Sequence, residues 1–175
     1  MLDLIELDKG TPGIDSDWGA CLRHCAAICL EFNDHSSPVR LLVDGEFSRR
    51  IALHWSKATD QQKRNWADLQ DATENGACGV AILLIKKLTG LTVVERARKR
   101  EGGHDYWLGQ EDDDPYFQKK DRLEVSGILN GNEDQINARV KQKLAQVEAF
   151  WPIKSCNIIV TEFAGPASRF IRKEG

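Results

Sequence analysis

From Thr59 onward, Gly90, Pro115 and Pro152 cut the sequence into segments whose apolar periodicity switches between helical and extended. Thr59 opens the first segment, with Gln62 three residues on as a capping-box partner. Helical character then continues to about Leu88, in one long helix or two, and Gly90 stops it. Gly76 and Gly79 lie inside this stretch and weaken a helix by about 1 kcal/mol each relative to Ala. That spacing lets another backbone come close. Three extended segments follow, at residues 91–98, 104–109 and 121–129, the last two separated by the acidic run 111–114 and Pro115. Asn132 caps an amphipathic helix with Ile136, Val140, Leu144, Val147 and Phe150 on one side, ended by Pro152. Residues 156–163 form a last apolar strand, and the tail from Pro166 is basic. The order is helix, strand, strand, strand, helix, strand.

The first 58 residues read differently. Residues 2–7 alternate apolar and acidic residues, as a strand does. Asp15 or Asp17 caps a helix running to about Phe32. Residues 39–43 and 50–55 make a hairpin with Asp44-Gly45 as turn chemistry, placing Ile51, Leu53 and Trp55 on one face. A length of 175 residues suits one domain, and no linker rich in Pro, Gly or Ser divides it. The expectation is an α/β (α+β) domain with a mixed central sheet and flanking helices. It comprises a strand–helix–hairpin extension (1–58), a core (59–165) and a basic tail (166–175).

Charge and cysteine content narrow the function classes. Net charge is −3. Residues 1–58 hold 6 Lys/Arg against 9 Asp/Glu, and the remainder holds 18 of each. A general basic coat is excluded, so any nucleic-acid contact must be local. No apolar run approaches the roughly 18 residues of a membrane span. The amino terminus lacks the basic and apolar regions of a secretory signal, and five cysteines is an odd number. A reduced, cytoplasmic protein is expected. Cys21, Cys25 and Cys29 share a helix stripe without a second ligand pair, which suits small buried apolar groups better than zinc. Cys78, flanked by small residues, reads as core.

Two carboxylates stand out. Asp105 follows Gly102-Gly103-His104, and Glu124 is a charge embedded in the apolar strand Leu123-Glu124-Val125-Ser126-Gly127-Ile128. On that strand Glu124 and Ser126 share one face, while Leu123, Val125 and Gly127 share the other. If the second and third strands pair antiparallel, Asp105 and Glu124 meet at one end of the sheet. Two converging carboxylates suit Mg²⁺ or Mn²⁺. Alternatively, Glu124 pairs with Arg96 or Arg98, and Asp105 is a turn residue. Glu74 has Ala77, Cys78 and Ala81 as helical neighbours, so it leans toward the packed face or stands partly exposed. Arg96, Arg98, Lys99 and Arg100 form the densest basic cluster, suited to phosphates. Tyr106 and Trp107 suit base stacking or the core, and His104 a base or a loop.

This element order and these acids resemble the PD-(D/E)xK nuclease superfamily over residues 59–165. Its restriction-endonuclease-like core runs helix, three strands, helix, strand. The resemblance implies Asp105 as the acid near the second strand, Glu124 as the acid of the (D/E)-x-K half-motif, and Glu74 as the helix acid. Asp105 and Glu124 would hold the metal. His104 stands where the family has proline, and Ser126 where it has lysine. The resemblance then requires a cation from a neighbouring element: Lys143 or Arg139 on the following helix, or Lys119 or Lys120 before the third strand. The implied function is a Mg²⁺- or Mn²⁺-dependent nuclease acting on DNA or RNA. The alternative is a non-catalytic interaction protein on the same fold, with a protein partner or as a homodimer. Ser126 and the acidic balance favour that alternative.

Overall fold

The structure is a computed structural model that describes residues 1–98, 103–110, 121–150 and 155–174. It is an α+β fold around one mixed sheet of eight strands. The chain begins with strand β1 (Leu2–Asp3) and a 3-10 helix (Leu4–Lys9). Helix α1 (Ser16–Phe32) starts where the Asp15 carboxylate accepts the Trp18 amide. Strands β2 (Val39–Gly45) and β3 (Arg49–His54) form a hairpin, with Ile51 and Leu53 buried on one face and Trp55 just beyond the strand, but Asp44 and Gly45 are part of β2 rather than the expected turn, which falls at residues 46–48. The capping box of Thr59 and Gln62 is present. The stretch that follows is two helices, α2 (Asp60–Asn65) and α3 (Leu69–Thr89). Asp68 caps the second, and Gly90, at a φ of 73°, ends it in the left-handed conformation.

Strands β4 (Thr92–Arg96), β5 (Tyr106–Gly109) and β6 (Asp121–Ile128) pair antiparallel in turn. Asn132 caps α4 (Glu133–Glu148), which leads into β7 (Ser155–Glu162), parallel to β6. The strand order is β1-β3-β2-β8-β7-β6-β5-β4. Helices α1 and α3 cover one face and build the larger core, centred on Leu22, Leu84, Leu123 and Phe170. Helix α4 covers part of the other, with Ile136, Val140 and Val147 against Ile158 and Val160. Gly76 is the close-approach glycine its position suggested. A Cβ there would stand 2.9 Å from the Ala26 backbone, so it sets how near α3 lies to α1.

Three expectations are corrected. The amino-terminal strand is only two residues long. Leu4 and Leu7 are both buried three positions apart, the repeat of a 3-10 turn, and the Asp3 carboxylate accepts the Ile5 amide to start it. The basic tail is strand β8 (Ala167–Glu174), central in the sheet between β2 and β7. Ser168 and Phe170 are fully buried, while Arg169 forms ion pairs with Asp44 and Glu133. The 1–58 unit is therefore not an appendage: β8 joins its hairpin to the later strands in one sheet. Finally, Phe150 lies past the end of α4 and is exposed, off the apolar stripe.

The buried-core reading holds for Cys25 and Cys29, whereas Cys21 and Cys78 are only partly buried. All five thiols are free, and Cys25, Cys29 and Cys156 are buried. Among the described residues, no helix is long and apolar enough to cross a membrane.

Candidate functional site

Strand β5 pairs with β6 only as far as Leu123. Beyond that point no described strand pairs with the β5 side of β6, and Asp105 occupies the place where the ladder stops. Its amide donates to the Leu123 carbonyl at 2.9 Å, and its carbonyl accepts from Ala97 at 2.8 Å. Its side-chain Oδ2 accepts the Val125 amide at 2.8 Å, replacing the missing strand partner. Asp105 is thus a ladder terminus fixed by three hydrogen bonds, and its carboxylate is held beside Glu124.

Glu124 is 1% exposed and lies on the β6 face that α4 covers. Lys143 reaches it from α4, with Nζ 2.5 Å from Oε1. Gln146 donates to the same oxygen at 3.1 Å and to the Gly103 carbonyl at 3.3 Å. Burial and then the Asp105 charge push the Glu124 carboxyl up to about 7, against the opposing pull of Lys143. One residue pair further along, Arg139 on α4 donates to Ser126 Oγ at 2.8 Å. Among the candidates for the missing lysine, the two on α4 both reach β6.

A cleft of about 270 Å³ opens here between α3 and α4. Its lining includes Glu74, Cys78, Arg96, Asp105, Arg139 and Lys143. Glu74 is at its rim and exposed, hydrogen-bonded to Gln70 at 3.3 Å, so it does not lean into the packed face. Arg96 is exposed and stacks its guanidinium 5.5 Å from the Trp18 ring. Cys78 is pushed up to about 12 by burial, which keeps it a thiol at neutral pH.

Of the other described candidates, His104, Trp107 and Arg98 do not line the cleft. His104 is buried with its ring 4.4 Å from Trp107, and Arg122 covers the Trp107 ring at 4.8 Å. Tyr106 is buried among core residues and lines the cleft's inner wall. Arg98 is exposed and does not line the cleft. Lys99, Arg100, Lys119, Lys120 and the acidic run 111–114 lie outside the described residues. Gln146 was not anticipated. The available signal was its place three residues after Lys143, hence on the same helix face.

Among the described residues, no group of three or more His, Cys, Asp or Glu is placed to hold a metal ion. A pair of carboxylates still fits Mg²⁺. That ion is commonly held by one or two carboxylates, its remaining positions taken by water and substrate phosphates. Two acids crowded enough to raise Glu124 are also what a divalent cation would relieve. Comparison with known proteins gives no matching family model, no similar curated protein and no similar solved structure.

Proposed function

We propose that this chain is a Mg²⁺- or Mn²⁺-dependent nuclease of PD-(D/E)xK type that hydrolyses phosphodiesters in DNA or RNA. One observation carries the reading: Lys143 and Arg139 reach from α4 to the buried Glu124 and to Ser126, and both line one cleft with Asp105 and Ser126. The cation absent from the third position of Glu124-Val125-Ser126 returns from the next helix. The run of α3, β4, β5, β6, α4 and β7 also has the element order of that superfamily.

In this reading Asp105 and Glu124 bind the metal, which when bound supplies Lewis-acid polarisation of the phosphate and an acidified water. Lys143 orients the attacking water and offsets charge developing on the phosphate. Arg139 and Arg96 hold the phosphate from opposite walls of the cleft, and Glu74 supports the site from α3.

The test is cleavage of labelled DNA and RNA with added Mg²⁺ or Mn²⁺. Asp105→Asn and Glu124→Gln are each expected to lower the rate by about 10³-fold, the scale for losing a principal electrostatic group. Cleavage unchanged in both variants would show that the activity does not belong to this cleft.

A second reading is a non-catalytic interaction protein on the same fold. It is favoured by Glu124 Oε1 being occupied already by Lys143 and Gln146. If calorimetry detects no heat of Mg²⁺ or Mn²⁺ binding at millimolar concentration, and no nucleic acid is cut, this second reading stands.

A further inference from the structure

The first 58 residues contain six basic side chains: Lys9, Arg23, Arg40, Arg49, Arg50 and Lys57. Lys9 and Arg23 form ion pairs with Glu6 and Asp8. The other four lie on or beside the β2–β3 hairpin, all exposed. Among the described residues, none of the four forms an ion pair. Strand alternation turns Leu41, Val43, Ile51 and Leu53 into the core and leaves Arg40, Leu42, Arg50 and Ala52 on the opposite face. The register sets Arg40 across from Ala52 and Leu42 across from Arg50, so the two arginines are diagonal neighbours. Diagonal pairs stand about 7–8 Å apart, close enough for like charges to repel. Among the described residues, no helix packs on this face. Asp44, an acid on the same face, is paired with Arg169, which also holds Glu133 of α4.

This open basic face lies on the same side of the sheet as α4, because Arg169 of β8 spans from Asp44 on β2 to Glu133 on α4. Strands β8 and β7 separate β2 from β6. At about 4.8 Å per strand, β2 and β3 are about 14–19 Å across the sheet from the Glu124 strand. That is roughly four to six nucleotide steps at 3.4 Å each.

We infer that the Arg40–Arg50 face of the hairpin is a second phosphate-binding surface, holding the backbone of the nucleic acid whose scissile phosphate enters the cleft. This rests on the nuclease reading above. A polyanion relieves the repulsion of the two arginines, and Leu42 between them offers apolar contact to sugars. The surface has no geometry for reading bases, so it adds affinity without sequence preference.

The experiment measures anisotropy of labelled DNA and RNA duplexes of roughly 20 base pairs, in EDTA so that nothing is cut, across about 50–200 mM salt. The proteins are the full chain and its Arg40→Glu/Arg50→Glu double variant. Expected is at least tenfold weaker binding by the variant and a salt slope shallower by about two, at about 0.9 per lost phosphate contact. Hydrolysis of bis(p-nitrophenyl) phosphate, small enough for the cleft alone, stays at the wild-type rate. The conservative Arg40→Lys/Arg50→Lys variant keeps most of the binding, which excludes misfolding as the cause. If the wild type binds duplex and the Glu variant binds equally well with the same slope, the inference is overturned. If instead the variant loses only binding to polyglutamate, the face belongs to an acidic protein, and the inference is overturned again. If the wild type binds neither DNA nor RNA, the nuclease reading itself falls.

Discussion

Lys143→Met is expected to destabilise the fold by about 3 kcal/mol at pH 8 and by far less at pH 5, the scale for removing one partner of a buried ion pair. The asymmetry follows from Glu124. Its carboxyl titrates near 7 in the folded protein, above its ordinary value of 4.5. Between those values the folded chain holds a proton that the unfolded chain has released. Stability is therefore highest below about 4.5 and falls as pH rises through 7. Lys143 limits that fall by pairing with the ionised form. Without it the folded-state value moves further up, and the loss on reaching pH 8 grows. Urea denaturation at the two pH values measures the effect. Glu124→Gln should flatten the pH dependence in either background, because it removes the titrating group. Added Mg²⁺ should stabilise the wild type at pH 8 and leave Glu124→Gln unchanged, since a ligand stabilises only the state that binds it. A Lys143→Met variant equally destabilised at both pH values would mean that Lys143 acts through packing of its stem. Cleavage by Lys143→Met should drop by about 10²–10³-fold, the loss typical of one charge-stabilising group.

Gly127→Val should lower the melting temperature by about 4–8 °C. A Cβ at Gly127 would sit 2.4 Å from the Thr73 carbonyl oxygen and 3.0 Å from its carbonyl carbon. Both belong to the α3 backbone, which no rotamer change can move. Restricting an unfolded glycine favours the variant by up to about 1 kcal/mol, and a valine suits a strand. Forcing backbones apart costs about 3 kcal/mol, so the clash wins. For a chain of this size each kcal/mol shifts the midpoint by about 2–4 °C. Differential scanning calorimetry reads it directly; a midpoint within 2 °C of wild type would contradict the close approach of α3 to β6. Thr73 immediately precedes Glu74, so this contact also sets the width of the cleft. Any variant that folds should carry a rate defect without touching Asp105 or Glu124.

The sequence made some of this plain and hid the rest for physical reasons. Glu124 was visible because a charge inside an apolar strand needs a partner, and Asp105 because glycines free the backbone before it. The pairing of β5 with β6 then brought them together. Lys143 could be named only as one candidate of several. Which basic residue reaches Glu124 depends on the rotation of α4 over the sheet, and periodicity does not fix that rotation. Strand β8 was read as a tail because Arg169, Arg172 and Lys173 mask the inward alternation of Ser168 and Phe170. The basic hairpin face was overlooked because its charges are outweighed by acids elsewhere in residues 1–58.

The central position of β8 has a consequence for how the molecule assembles. The hairpin half of the sheet and the cleft half do not hydrogen-bond to each other; each pairs with β8. The contact between Asp44 and Arg169 closes a loop of 125 positions. Such non-local pairing forms slowly, because the loop entropy is lost before the strand contacts return it. Until β8 docks, β2 and β7 each present an unpaired edge, and unpaired edges invite pairing between chains. Refolding yield should therefore depend on protein concentration, with off-pathway association set by the waiting time for one strand.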